Sequence, residues 1–435
     1  MSQIPGAPLS ITEPTAKLWM IFLGFFPTNA SKGWFTDGHE REDVIRFREE
    51  IFLPKMALLE TQIRKYTKES NYTEFILPDG PSESVIITHD ESTTYANEGR
   101  AVFYMEGGKK KCLPKGRGLS LMISGFVCQC HGFMEFEGLK SYQLFEFGKN
   151  RDGAWCNADL IEQARICKPI FEGLHPNCTI FVGFDNSMNH HKKAPDGLDA
   201  TMLLLKDGGK NTPIMRDGWY LKKNEAGVEE RVVQKMQHKG SGIQKGLETI
   251  LTERNKFDNG NGHRLLKICQ SCLKKVHHDK RDWTPNAHLC CATYVLSQEP
   301  DFLEQQEWLT EVIEDELKFN IFFYPKYHCE LNFIEQLWGW IKAYLRRHCK
   351  YSFNELKGSI DDVVMNKLPI QFVRKASDRC FRYMSGYRKG LTGAALEYTV
   401  KRFRGHRCLP AEESFAKLVE DYEALPISKK IKVFG

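Results

Sequence analysis

Glu335 stands in the first turn of a helical pattern that opens at Phe333. Ile334, Leu337, Trp338, Ile341 and Leu345 recur at helical spacing and make one buried face. Glu335 lies about 100° round from Ile334, off that face. Gly339, Lys342 and Arg346 follow along its own stripe. A carboxylate with a glycine clearing space beside it, and cations further along, suits metal and phosphate chemistry. An acid that only complements the helix dipole is the alternative. Two more acids stand at strand ends. Asp90 follows the apolar run Val85, Ile86, Ile87, and Asp185 follows CTIFVGF at 178–184. Ligand sites in α/β sheets lie at such carboxyl ends; taken singly, an Asp after a strand is more often a turn or cap residue. Oxygen ligands of this kind suit Mg²⁺ or Mn²⁺. Two such ions activate a water or hydroxyl and stabilise the leaving oxygen in phosphodiester chemistry.

The elements that must position these acids give an α/β reading. Val85–Ile87 is a short central strand, a hairpin-like partner follows at Arg100–Met105, and Leu119–Cys128 reads as a third strand. Leu160, Ile161, Ala164, Ile166 and Phe171 predict an amphipathic helix over Asn157–Leu174, leading into the buried strand before Asp185, the crossover pattern of a mixed sheet. The run Phe319–Tyr324 closes it. Further upstream, Thr15–Phe25 could form one short helix, and Val44, Phe47, Ile51 and Phe52 predict another to about Glu60. The organisation expected is an N-terminal linker over 1–75, a first core part over 76–199, a long irregular insertion over 200–317, the closing strand and helix over 318–350, and a basic helical region over 351–435.

A chain of 435 residues with a net charge of +5 and no run of 18 apolar residues predicts no membrane span. Charge is unevenly spread: between Gly339 and Cys408 there are 16 Lys/Arg against 5 Asp/Glu, an excess of +11. Trp340, Tyr344, Tyr383 and Tyr387 lie in the same block. This is the surface a polyanion needs, with Lys342, Arg346 and Arg347 nearest the Glu335 helix; a solvated helical exterior is the alternative. The Gly/Lys loop GGKKKCLPKGRG is a solvated turn or a phosphate contact. Among 14 cysteines, Cys269, Cys272, Cys290 and Cys291 offer enough thiolates for one tetrahedral Zn²⁺, although an adjacent second pair suits one knuckle poorly and ordinary intracellular thiols are the competing reading. His89 and His190 read as polar neighbours of the acids, because imidazole suits softer metals than Mg²⁺.

The stretch HCELNFIEQLWGWIK at 328–342 resembles the signature of mariner-type DDE transposases, whose Leu-Asn-Pro-Ile-Glu-x-x-Trp pattern presents the third catalytic acid; Phe333 replaces the usual proline. THDESTTYANEG, LSLMISGFV, FVGFDNSMNHHKKAPDGLDA, FFYPKYHCELNFIEQLWG and YRKGLTGAALEYTVKRFRGHR are similar, in the same order, to blocks of the fungal members of that family. The resemblance spans about 15–407 and implies an RNase H-like mixed sheet flanked by helices. It implies that Asp90 bridges two ions, Mg²⁺ or Mn²⁺, with Asp185 on one and Glu335 on the other. It also implies DNA as substrate, a homodimer and a nuclear location. The gaps between the acids, 95 and 150 residues, are accounted for by the insertion. About 15 residues precede the linker-like segment, where that family has a helix-turn-helix head, so a DNA-binding derivative without catalysis is the second reading.

Overall fold

The computed structural model describes residues 12–23, 38–80, 82–99, 112–148, 151–224, 227–258, 264–270, 291–405, 407–411 and 414–426. Its centre is a mixed sheet. Strand β1 (Ser84–Tyr95) pairs antiparallel with β2 (Ser120–Cys128), which also carries the short Gly132–Phe133 and β3 (Tyr142–Phe145). On its other edge β1 runs parallel to β4 (Thr179–Phe184), and β4 runs parallel to β5 (Asn320–Phe323). Helix α1 (Asn157–Leu174) makes the crossover from β3 to β4, with the bounds expected from its apolar spacing. This is the mixed sheet flanked by helices that the sequence predicts.

Alternation along β1 divides the core in two. Ile86 joins Leu121, Ile123 and Val127 beneath α2 (Phe333–Arg347) and α3 (Ile370–Arg388). Val85 and Ile87 face the other way, into Phe126, α1 and the segment Leu309–Leu317. That last segment, which falls within the expected insertion, packs on the sheet. Leu198, Leu203, Met236, Leu247, Ile250, Leu296 and Phe302 form a separate cluster between 198 and 302, a stretch that also contains a hairpin of Gly218–Lys223 with Glu229–Gln234. Arg254, fully buried there, holds Asp301 through two bonds of 2.8 and 2.7 Å.

Several expectations need correction. Strand β1 is twelve residues long rather than three, so Asp90 lies within it and not after it. Its antiparallel partner is β2; the proposed hairpin at Arg100–Met105 lies outside the described residues, as does much of the Gly/Lys loop. Ile51 was expected on the apolar face, yet it is 57% exposed, because the helix from Glu42 to Gln62 widens into a π-turn over Phe47–Phe52 and rotates the face. Tyr383 and Tyr387 are buried, so they cannot belong to a nucleic-acid surface. Cys272 and Cys290 lie outside the described residues; Cys291 is buried before the helix Ala292–Ser297 and Cys269 is half-buried.

Candidate active site

Pairing geometry sets where Asp90 sits. The parallel ladder between β1 and β4 ends at Thr88↔Gly183, while the antiparallel ladder continues through Asp90↔Gly125. Asp90 is therefore bonded on one edge and open on the other, at the carboxyl end of the parallel strands. Asp185 follows β4 immediately, where Tyr324 N–H bonds the Phe184 carbonyl at 2.9 Å. Gly183 lets these strands meet: a Cβ there would come within 2.4 Å of the Phe322 ring.

Glu335 is in the first turn of α2, and that turn is tied to β1. Asn332 caps the helix by accepting from Ile334 N–H at 3.3 Å. Its same oxygen accepts from Thr88 Oγ1 at 2.7 Å, and its Nδ2 donates to the His89 carbonyl at 3.3 Å. Trp338, one turn further on, donates Nε1–H to Asp90 Oδ2 at 3.0 Å. The helix and the strand are thus joined at the first acid and at the two residues before it.

The electrostatics bring the acids together. Burial pushes the Asp90 carboxyl well above the usual carboxylate range, and Glu335, Glu91 and Asp185 push it further in the same direction. Glu335 is raised by the protein atoms crowding it although it remains open to solvent; Lys342 pulls it down and Asp185 pushes it up. Glu91 is raised by burial and by Asp185, with His190 and a Trp155 Nε1 bond of 2.9 Å acting against this. Asp185, 49% exposed, has Oδ1 2.6 Å from His190 Nδ1, which also lies 3.0 Å from the Asp185 carbonyl oxygen. Asp90, Asp185 and Glu335 therefore lie within electrostatic reach of one another, and Glu91 is a fourth carboxylate that the chain order did not single out. Position 339 is open: a Cβ on Gly339 would meet nothing within 4 Å.

The expected DNA contacts flank this site. Lys342 is half-exposed on the Glu335 stripe. Arg346 is exposed and bonds Glu98 at 2.5 Å; Arg347 donates to the Ala343 carbonyl at 3.2 Å. Much of the basic block is structural instead. Arg374 donates to the carbonyls of Tyr72, Gln129 and Cys130, Arg388 pairs with Glu60 at 2.8 Å, and Arg407 is half-buried near Asp378. A basic cleft remains, lined by Lys68, Lys375, Arg379, Lys401 and Arg404. Gln336, the neighbour of Glu335, reaches the same cleft. Lys68 belongs to the N-terminal segment, so chain-order counting could not have grouped it with the others.

Behind α2 lies a buried polar network. Glu330 Oε1 accepts from His328 Nδ1 at 2.7 Å, Tyr387 OH at 2.7 Å and His39 Nε2 at 3.3 Å. Against the burial that would raise it, the bonds from His328 and His39 bring Glu330 down to about 2.

No protein-family model matches the chain, and no curated protein matches it. Among solved structures, it is similar to the Mos1 transposase paired-end complex with the left transposon end, at 10% identity and a TM-score of 0.40, over 86% of this chain and 69% of that one. The Mos1 mariner paired end complex with Mn gives 10% identity and 0.41, over 86% and 71%.

Proposed function

We propose that this chain is the core of a DDE-type transposase, a metal-dependent DNA endonuclease and strand transferase. The observation that carries this reading is the gathering of Asp90, Asp185 and Glu335, from a strand edge, a strand end and a helix start, around one carboxylate that three others destabilise. A buried acid among acids favours a cation beside it. The oxygen donors suit hard divalent ions: Asp90, Asp185 and Glu335 would together hold Mg²⁺ or Mn²⁺. Bound there, the ions supply activation of water or a 3′-hydroxyl and stabilisation of the leaving oxygen. The chain's own residues do the positioning. Trp338 and Asn332 fix Asp90 against the Glu335 helix, and His190 fixes Asp185. Lys342 and the basic cleft would hold the DNA backbone without reading its sequence. DNA as partner, action as a homodimer and a nuclear location belong to the same proposal.

A nicking assay on supercoiled DNA with Mg²⁺ or Mn²⁺ tests it, comparing the chain with Asp185→Asn. Metal-dependent nicking lost in the variant is expected. Nicking that Asp185→Asn leaves unchanged would remove the acids from the mechanism, and DNA binding without nicking in either protein would leave a non-catalytic derivative.

A further inference from the structure

We propose a second metal site on the opposite face of β1, formed by His89, Glu91 and His190, for a borderline dication such as Zn²⁺. Strand alternation turns His89 and Glu91 away from Asp90 and toward α1. Their ligand atoms and one of His190 lie within 4.8 Å of one another.

Hydrogen positions decide what fills this space. Gln163 is oriented by its Nε2, which donates to the Ser124 carbonyl at 2.9 Å. Its Oε1 therefore accepts from Ser124 Oγ–H at 2.6 Å, which uses the only hydroxyl proton. Ser124 Oγ must then accept from His89 Nε2–H, at 2.8 Å. His89 is fully buried and no acceptor faces its other ring nitrogen, so the hydrogen sits on Nε2. Its Nδ1 is consequently a bare lone pair, buried and without a hydrogen-bond partner.

His190 is 3% exposed; burial disfavours its charge, but the bond to Asp185 and the Asp185 and Glu91 charges outweigh this and raise its pKa. Its Nδ1 faces two oxygens of Asp185 and so carries the hydrogen. Nε2, 4.0 Å from Glu91 Oε1, offers a second lone pair once a cation takes the place of its proton. Glu91 already accepts Trp155 Nε1–H at 2.9 Å and has a second oxygen to offer. Two imidazole lone pairs and a carboxylate thus converge in a buried space. Each imidazole donates its other N–H to an oxygen, the arrangement that orients histidines on metals. Two nitrogens and one carboxylate suit zinc, whereas Mg²⁺ prefers oxygen alone. Zn–N bonds of about 2.0–2.1 Å would draw the three side chains inward. Through the His190–Asp185 contact, the ion would also set the orientation of Asp185.

This site does not depend on DNA cleavage, and its test reads metal content. The full chain, Glu91→Gln, His190→Gln and Asp90→Asn are stripped with chelator, dialysed against Zn²⁺ with Mg²⁺ in excess, and analysed for bound zinc. The chain and Asp90→Asn should retain one equivalent more than Glu91→Gln and His190→Gln. Zinc held by cysteines elsewhere is common to all four and cancels. Glu91→Gln keeps an oxygen for Trp155 and nearly the same volume, so it decides alone should His190→Gln fail to fold. Ser124→Ala should weaken zinc binding by about 10–100-fold. Equal zinc in the chain and Glu91→Gln overturns the site, including the case in which a proton on His190 fills the space.

Discussion

Replacing Asp90 with Asn should stabilise the metal-free protein while abolishing its proposed activity. The variant keeps an oxygen to accept Trp338 Nε1–H and removes a charge that burial, Glu335, Glu91 and Asp185 all oppose. The sign follows from linkage. The folded pKa is raised above the unfolded one, so below the unfolded value, about 3.9, the carboxyl is neutral in both states and costs nothing. As pH rises through the folded value, the native state must take up the charge and loses stability. The Asn variant escapes this loss, so its advantage should be absent in acid and full above the folded pKa. Relieving a strained site of this kind is commonly worth about 0.5–2 kcal/mol. With 435 residues and about 2.1 cal/mol/K per residue, 1 kcal/mol moves Tm by about 1 °C if the chain melts as one unit. The variant should then melt about 0.5–2 °C above the parent in chelator. Mg²⁺ at 100 times its Kd should add about 2.7 kcal/mol to the parent and far less to the variant, reversing the order. Calorimetry in chelator and in Mg²⁺, at acid and neutral pH, reads all of this. An Asn variant less stable in chelator at neutral pH, or the same Mg²⁺ increment in both proteins, refutes the reasoning.

Gly339→Leu meets empty space within the chain and gains helix propensity, so stability should hold or rise by up to about 1 kcal/mol while nicking falls; loss of fold together with activity would contradict this. Asn332→Ala removes a helix cap and two buried bonds, for about 2–3 kcal/mol in urea denaturation, and should lower nicking in the surviving folded fraction. Glu330, held down at about 2, contributes about 3 kcal/mol that is present above pH about 4.5 and lost as pH falls toward 2; in Glu330→Gln this part of the acid dependence should vanish from denaturation curves. DNA affinity should fall steeply with salt, and Lys375→Ala or Arg404→Ala should each reduce the slope of log affinity on log salt by about 1 in a titration series.

What the sequence made legible was apolar periodicity. Helix α1 could be read from Leu160, Ile161, Ala164 and Phe171 because that face is buried along its length. Strand β1 was read only as far as Ile87, because from Thr88 on both of its faces carry polar side chains and the alternation loses its contrast. It remains a strand because β2 pairs with it to Tyr95, a non-local cause that no local pattern displays. The π-turn at Phe47–Phe52 likewise hid the orientation of Ile51. Composition misplaced Tyr383 and Tyr387: they lie in a basic block, but their hydroxyls serve buried carboxylates, Glu397 and Glu330.

Three departures from ordinary folding preference lie close to the acids. A carboxylate is buried beside three others, a strand glycine lets Phe322 close over β4, and the His89 Nδ1 lone pair is buried without a donor. None of these helps a folded chain that only needs to stay folded. Each has a specific compensation close by: Trp338 on Asp90, Asn332 from α2 to β1, His190 on Asp185, and Ser124 with Gln163 on His89. On the two readings proposed above, both faces of one strand call for positive charge. Oxygen donors surround the demand on the Asp90 face and nitrogen donors enter on the His89 face, so the two faces should differ in the ions they take. Bound zinc that survives Asp90→Asn and is lost in Glu91→Gln, alongside a Mg²⁺ stabilisation with the opposite dependence, would separate them.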